Sequence, residues 1–370
     1  MSHDRARAVI DLDAVRHNAG VLARAAEGAR LMAVVKADGY GHGAVPVARA
    51  ALEGGADRLA VATAAELEHL RDAGIRAVVQ VFGPLTHAEF ARVVAAGGEP
   101  TLWTPEAAGW AVSLGTPEQP VRVHLELDTG MGRLGVRAED AASLADAADR
   151  PGVAVVGLMT HFACADETEG ESAGFMREQL LRFTQAATGL APRFPDAMLH
   201  TANSAATLRD ARTHRDLVRC GIALYGCSPF MGDPAEHGLR PAMEWVSWLA
   251  SVKTIRSRES VGYGRTHRAA RGTRIGLVPV GYADGYARSL SNRARALVAG
   301  RPVPIVGTIS MDQLTLDLGP EGPGEVGDEV VLMGARGDER VSAEELAGLL
   351  GTINYEITCS VGARVPRAIR

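Results

Sequence analysis

The chain is poor in lysine and cysteine, and each shortage restricts what the protein can be. Only two of its 39 basic residues are lysines, Lys36 and Lys253, and the others are arginines. Its 370 residues include four cysteines, which show no metal-ligand spacing and are too few for a disulfide framework. We therefore expect buried or partly buried thiols in a reducing compartment, and no metal site.

The chain also lacks an excess of positive charge and any long apolar run. It has 39 basic and 44 acidic residues, a net charge of −5, which argues against a general binder of nucleic acid or membrane surfaces. No apolar run reaches the ~18 residues of a membrane span. The first residues, MSHDRARAVIDLD, lack the apolar core of a secretory signal. We expect a cytoplasmic protein with no nucleic-acid or membrane partner.

What the chain does contain is a repeated pattern of short apolar runs and helical stretches. Each run is followed by a polar or glycine-containing loop and then by a helix, which is typical of buried parallel strands. Eight such units in about 200 residues favour an α/β fold with a closed (β/α)8 TIM-type barrel over an open sheet. The predicted strands lie in Leu31–Lys36, Arg58–Thr63, Ala77–Gly83, Glu99–Trp103, Val121–Asp128, Val153–His161, Ala197–Asn203 and Leu217–Gly226.

After Gly226 the sequence changes to short strand-like runs separated by Gly, Pro and charged turns, which is typical of a separate, mostly-β domain. We place the boundary in the polar segment 231–238. This gives a barrel over 1–233 and a C-terminal β-domain over 234–370, with the first ~10 residues able to pack with the β-domain. Two local features are predicted here, a hairpin that turns at Gly300 and a helix capped by Ser342 with Glu345 as its capping-box partner.

Lys36 is the first candidate functional residue, because it ends the first predicted strand. Barrel enzymes place their sites where strands end and the next loops begin, and the loop here is the glycine-rich ADGYGHG. In a partly dehydrated site the pKa of a lysine falls, and its amine becomes a nucleophile or a base. This chain uses arginine almost everywhere, and arginine cannot replace a Schiff-base lysine. Lys36 is therefore predicted to form a Schiff base.

The segment AVVKADGYGHG around Lys36 resembles the cofactor lysine motif of the bacterial alanine racemases, isomerases of fold type III that depend on pyridoxal 5'-phosphate (PLP). The resemblance implies a PLP-binding barrel, a β-domain and a homodimer with shared active sites. It also implies interconversion of L-alanine and D-alanine, which supplies D-alanine for peptidoglycan. The likeness spans the chain in family order through LDTGMGRLGV, LMTHFACADE, HTANSAA, LVRCGIALYG, VGYGRTHRA, GYADGY, ISMDQ and NYEITCSVGARVPR.

The resemblance implies a set of residues around the cofactor. Lys36 would bind PLP covalently, and Arg219 would face its pyridine nitrogen, which an arginine keeps unprotonated. Hydroxyls and backbone N–H groups in the loops after strands seven and eight would hold the phosphate, as in many barrels. The implied cofactor-binding residues are Lys36, Tyr40, His161, Asn203, Ser204, Arg219, Gly221, Ile222 and Tyr355.

Racemisation removes the α-proton from one face of the substrate and returns a proton to the other, so two bases are expected. The resemblance assigns the D enantiomer to Lys36 and the L enantiomer to Tyr263 of the partner subunit. A tyrosine has an ordinary pKa of ~10 and needs neighbours that stabilise its phenolate. The resemblance links Tyr263 to His161, and His161 to Arg219.

The resemblance also implies how the substrate is held. Arg133 and the backbone N–H of Met311 would bind its carboxylate, a task that suits a bidentate guanidinium. Tyr282 and Asp312 would line the entrance. One position departs from the family pattern, because Glu126 stands where many members have a carbamylated lysine. Both side chains are anions, so we expect Glu126 to replace the carbamate electrostatically, with a water or a shifted Arg133 to bridge the shorter reach.

Other functions stay open at this stage. The main alternative is a broad-specificity amino-acid racemase on the same fold, because pocket volume is not readable from sequence. A PLP-dependent decarboxylase would not need the paired Tyr263 and ISMDQ motifs. A non-catalytic PLP carrier would need neither Tyr263 nor a β-domain. A barrel that binds sugar phosphates without PLP would be colourless, whereas a PLP protein is yellow and loses that absorbance on borohydride reduction.

Overall fold

A computed structural model describes residues 4–370, which form two compact units. One unit comprises Val15–Phe230 and Pro234–Arg240. The other comprises the segment that ends at Ala14, together with Met231–Asp233 and Pro241–Arg370. In the described part of the chain, no helix has both the length and the apolar character to cross a membrane.

The first unit is built around parallel strands. The first ten strands of the chain are β1 (Arg7–Ile10), β2 (Arg30–Val34), β3 (Arg58–Val61), β4 (Val79–Val81), β5 (Glu99–Leu102), β6 (Val121–Asp128), β7 (Val136–Arg137), β8 (Val153–Met159), β9 (Met198–His200) and β10 (Leu217–Cys220). Eight of them pair in the order β10-β2-β3-β4-β5-β6-β8-β9, and β7 pairs with β6 beside this path.

Strands β9 and β10 bring the two ends of this sheet together. The backbone N–H of Asp216 donates to the Leu199 carbonyl at 3.0 Å, and that of Arg219 donates to the Ala202 carbonyl at 2.9 Å. The result is a nearly closed barrel of eight parallel strands, which confirms the predicted fold.

Each predicted run overlaps one barrel strand, but several runs extend too far. The first strand ends at Val34 and not at Lys36, because the chain enters a left-handed turn there. The sixth ends at Met159, two residues before His161. The last ends at Cys220, because a short 3-10 helix follows at Ile222–Tyr225. Apolar side chains line the barrel mouth after the strand pairing has ended, so apolarity alone overestimates strand length.

The helices of the first part of the chain cover the outside of the barrel. Every second residue of strand β6, among them Val123 and Leu125, packs against helix residues such as Phe90 and Phe183. These helices are α1 (Leu12–Ala25), α3 (Ala44–Glu53), α4 (Ala64–Asp72), α5 (His87–Ala95), α6 (Pro105–Leu114), α7 (Ala141–Ala148), α8 (Ser172–Leu190) and α9 (Ser204–Arg209). The short element α2 (Lys36–Tyr40) is not a regular helix, because the backbone inside it is left-handed.

The second unit consists mostly of strands, as predicted. One sheet has the order β17-β16-β19-β11-β1-β21 with β20 beside β19, and smaller sheets have the orders β12-β15-β18 and β13-β14. The elements are β11 (Met243–Trp248), β12 (Ser251–Ile255), β13 (Ser260–Val261), β14 (His267–Arg268), β15 (Thr273–Val278), β16 (Arg295–Val298), β17 (Arg301–Pro304), β18 (Leu314–Gly319), β19 (Glu329–Arg336), β20 (Glu339–Val341), α10 (Ala343–Leu350), α11 (Asn354–Ser360) and β21 (Arg367–Ile369).

The local predictions for this unit hold in part. The hairpin of β16 and β17 turns at Gly300, and Ser342 accepts a hydrogen bond from the Glu345 N–H at 3.1 Å as the helix cap. The Glu345 carboxylate does not complete a capping box, because it accepts from Arg295 at 2.9 Å. Cys359 is exposed on α11, contrary to the expectation that all four cysteines are at least partly buried.

Candidate active site

Lys36 follows β2 by two residues and begins a left-handed turn. Ala37, Asp38, Gly39 and Tyr40 have φ values of 52°, 50°, 61° and 51°. Residues other than glycine are strained in this region by about 1–2 kcal/mol each. Such strain persists only where the surrounding structure imposes it, and it clusters at functional sites. The turn after Lys36 is therefore the kind of segment that a barrel uses to place a functional side chain.

Two carboxylates hold this turn. Asp38 Oδ1 accepts from the backbone N–H of Ala44 at 2.8 Å. Glu66 accepts from the N–H of Ala37 at 2.6 Å and, with its other oxygen, from that of Ala62 at 2.8 Å. These bonds tie the turn to the start of α3 and to the loop after β3, so the direction of the chain at Lys36 is fixed from both sides.

The predicted phosphate-binding residues of the barrel unit meet beside this turn. The ring of Tyr40 stacks on Tyr225 with centroids 4.9 Å apart, and its hydroxyl lies where a Cβ on Gly221 would overlap it. The Gly221 N–H donates to Ser204 Oγ at 3.0 Å, so it is already engaged. The Ile222 N–H has no acceptor among residues 4–370. Only glycine at position 221 therefore lets the Tyr40 hydroxyl pack here, and the available N–H of Ile222 lies next in the chain.

Asn203 serves the helix that follows β9. Its Oδ1 accepts from the Ala206 N–H at 3.0 Å and caps α9, while Ser204 is the first residue of that helix and is buried. Asn203 thus helps to set where Ser204 lies, which is the contribution that this structure supports for it.

Arg219 projects from β10 into the barrel and is buried. Nη1 donates to the His200 carbonyl at 2.8 Å and faces His200 Nδ1 at 3.1 Å, while Nη2 donates to the carbonyls of Thr160 at 2.7 Å and Thr201 at 3.1 Å. Burial lowers the pKa of Arg219 to about 10, which leaves it charged at neutral pH. Its Nε makes no hydrogen bond within the described residues and remains available to a ligand.

His161 lies where the cationic groups converge. Its Nδ1 is 3.5 Å from Arg219 Nη2. Burial, followed by the charges of Arg219, Arg133 and Lys36, lowers its pKa to about 3. His161 is therefore neutral at physiological pH, and the lysine, the two arginines and the imidazole belong to one site at the carboxyl end of the strands.

Glu126 lies on the inner side of β6 and is buried. Burial raises the pKa of its carboxyl, and the charges of Arg219 and, to a smaller extent, Arg133 oppose that rise. Neither the Glu126 carboxylate nor the Arg133 side chain makes a hydrogen bond to any other described residue. The structure thus places Glu126 as a buried carboxyl whose pKa responds to Arg219 more than to Arg133, and it shows no hydrogen bond that would orient Arg133.

The other predicted site residues lie in the second unit. Tyr263 has 74% of its surface exposed, although Thr308 Oγ1 holds its backbone carbonyl at 2.9 Å. Met311 and Tyr282 are 53% and 42% exposed.

The remaining two predicted residues have structural neighbours of their own. Asp312 forms an ion pair with Arg364 at 2.8 Å, and its carbonyl accepts from Arg5 at 2.7 Å. Tyr355 is partly buried on α11, where its carbonyl accepts from Thr358 Oγ1 at 3.2 Å. These contacts fix both residues in the β-unit.

Comparison with known proteins decides which family carries this arrangement. The family description "Alanine racemase, N-terminal domain" matches residues 10–229, and "Alanine racemase, C-terminal domain" matches residues 242–369. The chain belongs to the alanine racemase family. The resemblance inferred from the Lys36 motif and the later motifs is thereby confirmed.

Individual alanine racemases are similar to the chain over nearly its whole length. The enzyme of Symbiobacterium thermophilum is 44% identical over 367 residues, which cover 97% of this chain and 96% of the relative. That of Cutibacterium acnes is 42% identical over 371 residues, with coverage of 97% and 96%. The crystal structure from Streptomyces lavendulae has a TM-score of 0.93 and 40% identity, and covers 100% of this chain and 98% of that one.

Within this alanine racemase fold, the sequence predictions missed three polar residues inside the barrel, Glu99, His124 and His200. The available signal was the strict alternation in VRVHLELD, Val121–Asp128. Alternate residues of a barrel strand point inward, so this pattern places His124 and Glu126 inside. Among residues 4–370 no three His, Cys, Asp or Glu side chains are arranged as a metal site. Hydrogen bonds join Glu99 to His124 and His124 to His200.

Proposed function

We propose that the chain is a cytoplasmic alanine racemase that interconverts L-alanine and D-alanine with PLP and thereby supplies D-alanine for peptidoglycan. Membership of the alanine racemase family supports this proposal. The observation that carries it is the convergence of Lys36, Arg133 and Arg219 on His161 at the carboxyl end of the barrel strands. Ligand sites of barrel enzymes lie at that end.

The residues at this barrel mouth fit PLP. Lys36 supplies an amine for covalent attachment, and Arg219 has an available Nε for the ring nitrogen. The Ile222 N–H and the Tyr40 hydroxyl, which packs against Gly221, suit a phosphate. Bound PLP supplies a π-system that accepts negative charge from the substrate α-carbon. Tyr355 is assigned to the same phosphate by family likeness.

Two bases on opposite faces of the substrate account for racemisation. Lys36 is the base on one face, and Tyr263 of the partner subunit is the base on the other. The high exposure of Tyr263 and Met311 supports a homodimer, because each would be covered when a second copy supplies the rest of the site. Arg133, whose guanidinium makes no bond within the described residues, would hold the substrate carboxylate with the partner's Met311 N–H.

Tyr282 and Asp312 would border the entrance to this shared site. Asp312 is held by Arg364, and Tyr282 is part of an exposed turn, so both present fixed groups on the surface that meets the partner. Glu126 would lower the positive potential around Arg133 and Arg219 without bonding to either. Its buried carboxyl makes this the least solvated charge of the site after Arg219.

The test is racemisation by the purified protein with added PLP, measured by chiral chromatography on alanine, serine, lysine and arginine. We expect alanine to react fastest. Comparable rates on all four amino acids would indicate a broad-specificity racemase, and release of carbon dioxide would indicate a decarboxylase. Lys36→Ala should abolish both racemisation and borohydride-stable attachment of PLP, and the matched control Lys253→Ala should retain both. Full activity of Lys36→Ala would contradict the proposal.

A further inference from the structure

Four buried polar side chains form one hydrogen-bonded chain through the inside of the barrel. Glu99 Oε2 is 2.9 Å from His124 Nε2, His124 Nδ1 is 3.0 Å from His200 Nε2, and His200 Nδ1 is 3.1 Å from Arg219 Nη1. Each of the four is at most 3% exposed. This series of hydrogen bonds starts at Glu99 on β5 and ends at Arg219, which faces the proposed cofactor site.

A glycine in the barrel wall leaves the space in which this series of hydrogen bonds forms. His124 is on β6 and His200 is on β9, and β8 lies between these strands. Gly157 is the residue of β8 that pairs with His124. A Cβ on Gly157 would overlap His124 Nδ1 and would lie 2.9 Å from His200 Nε2. Any side chain at this position would therefore separate the two imidazoles.

The protonation states of these four side chains decide which atom donates in each of their hydrogen bonds. Burial raises the pKa of Glu99, but hydrogen bonds from His124 and Arg122 outweigh it and lower that pKa to about 2, so Glu99 is ionised and can only accept. Burial lowers the pKa of both His124 and His200, so both are neutral. His124 must then donate from Nε2, His200 must donate from Nε2 to His124 Nδ1, and His200 Nδ1 is left as an acceptor.

We propose that Glu99, His124 and His200 form a relay of positioning residues that holds the Arg219 guanidinium in place for the ring nitrogen of PLP, and that Gly157 is required to let the relay form. This inference rests on the proposed function. Glu99 selects the tautomers of both histidines, so that His200 presents a lone pair and not an N–H to Arg219 Nη1. With Nη1 and Nη2 held by acceptors, Nε is aimed at the site.

Glu99→Gln keeps the shape of this side chain but reverses which atoms donate and which accept along the relay. Arg122 donates to Glu99 Oε1 at 2.7 Å, whereas Arg58 Nη1 lies at a longer 3.4 Å from Oε2. The amide oxygen of Glu99→Gln is therefore expected at the position of Oε1, where the hydrogen bond is shorter. Its NH2 group then faces His124 Nε2 and donates to it. Both histidines must move their proton from Nε2 to Nδ1, and His200 then directs an N–H against Arg219, where two donors oppose each other.

The first measurement is read on the unsubstituted holoenzyme, and two variants serve only to assign its signals. Nitrogen-15 spectra of the holoenzyme, with labelled histidine and assigned with His124→Gln and His200→Gln, report which ring nitrogen carries the proton. We expect Nε2–H on both His124 and His200. A proton on His200 Nδ1 in the unsubstituted holoenzyme would overturn the relay, whatever the variants do.

The second measurement compares the holoenzyme with Glu99→Gln, using Glu118→Gln on an exposed loop as the matched control. For Glu99→Gln we expect a roughly tenfold to hundredfold loss of PLP affinity and of racemisation, which is the effect of losing a bond to a charged group. We also expect a shifted absorbance maximum of bound PLP, which a purely structural role would leave unchanged. Affinity, rate and absorbance equal to those of Glu118→Gln would overturn the proposal.

Gly157→Ala tests the space left by this glycine, with Gly109→Ala as the control, because Gly109 is on α6 and nothing lies near its Cβ position. We expect Gly157→Ala to reproduce the absorbance shift of Glu99→Gln. If Gly157→Ala does not fold, the tautomers of the unsubstituted protein still decide. An unsubstituted protein that binds no PLP would refute the proposed function, whereas an active enzyme with the opposite tautomers would refute the relay alone.

Discussion

Replacing Arg219 by lysine separates the charge of this residue from its fork of donors. Lysine keeps the positive charge but offers one nitrogen on a flexible stem. In the native protein the two terminal nitrogens of Arg219 serve four acceptors at 2.7–3.1 Å: the carbonyls of Thr160, His200 and Thr201, and His200 Nδ1. An ammonium has three N–H donors, so at least one of these four acceptors loses its donor in the variant.

The expected cost follows from the number of acceptors lost. A buried acceptor without a partner costs about 1–3 kcal/mol, so Arg219→Lys should lower the free energy of unfolding by at least that amount. Domains are usually stable by about 5–15 kcal/mol, so the change is a large part of the total. The charge is retained, so the loss measures the geometry of the guanidinium.

Urea unfolding followed by circular dichroism, on PLP-free samples of both proteins, measures this difference without a contribution from bound cofactor. The control is Arg24→Lys, an exposed residue on α1, which should change the stability by no more than about 0.5 kcal/mol. If Arg219→Lys proves as stable as Arg24→Lys, the hydrogen bonds of Arg219 do not contribute as argued here. A smaller slope against urea in the variant would indicate that unfolding is no longer two-state, and calorimetry would then be needed.

Three further predictions concern single side chains. Tyr263→Phe should keep covalent PLP and change stability by less than about 0.5 kcal/mol, because the ring is exposed. It should strongly slow exchange of the α-hydrogen of L-alanine with solvent deuterium, whereas exchange from D-alanine, which Lys36 begins, should persist. Equal exchange rates from both enantiomers would contradict the assigned faces. Burial raises the pKa of Glu126, so ionisation of this carboxyl costs stability as the pH rises through that pKa. The melting temperature of Glu126→Gln should therefore rise relative to that of the native protein from pH 4 to pH 8. A difference in melting temperature that does not change with pH would argue against a buried charge. In the folded protein the pKa of His161 is about 3, against an ordinary 6.5, so the stabilising contribution of neutral His161 is complete above pH 6.5 and is lost as the pH falls toward 3. His161→Gln should therefore lose less melting temperature than the native protein over this range. An equal loss in both proteins would refute the shift.

The barrel was predictable because buried parallel strands are continuous apolar runs that alternate with helices. Leu217–Cys220 illustrates this, since the run is visible in the sequence although its end is not. Strand ends depend on where neighbouring strands stop pairing. The end of β2 before Lys36 also depends on a left-handed turn held by Asp38 and Glu66, and these contacts come from distant parts of the chain.

The candidate site was predictable to the extent that it lies in short motifs. Lys36 stands out through its position and its rarity, and Arg219 through the family motif. The relay behind Arg219 was not predicted, because His124 and His200 are 76 residues apart and meet only across Gly157. A glycine that leaves room for a contact between two other strands has no local signature in the sequence.

The most direct test of the central claim mixes two inactive variants. Lys36→Ala lacks one proposed base and Tyr263→Ala lacks the other, so each homodimer should be inactive. If each active site combines Lys36 of one subunit with Tyr263 of the other, a mixed dimer contains one intact site. Random exchange of subunits after co-unfolding and refolding, or co-expression, should therefore restore about a quarter of the native racemisation rate. Recovery of that activity is the predicted result, and a mixture that stays inactive while mixed dimers are present would contradict the shared site.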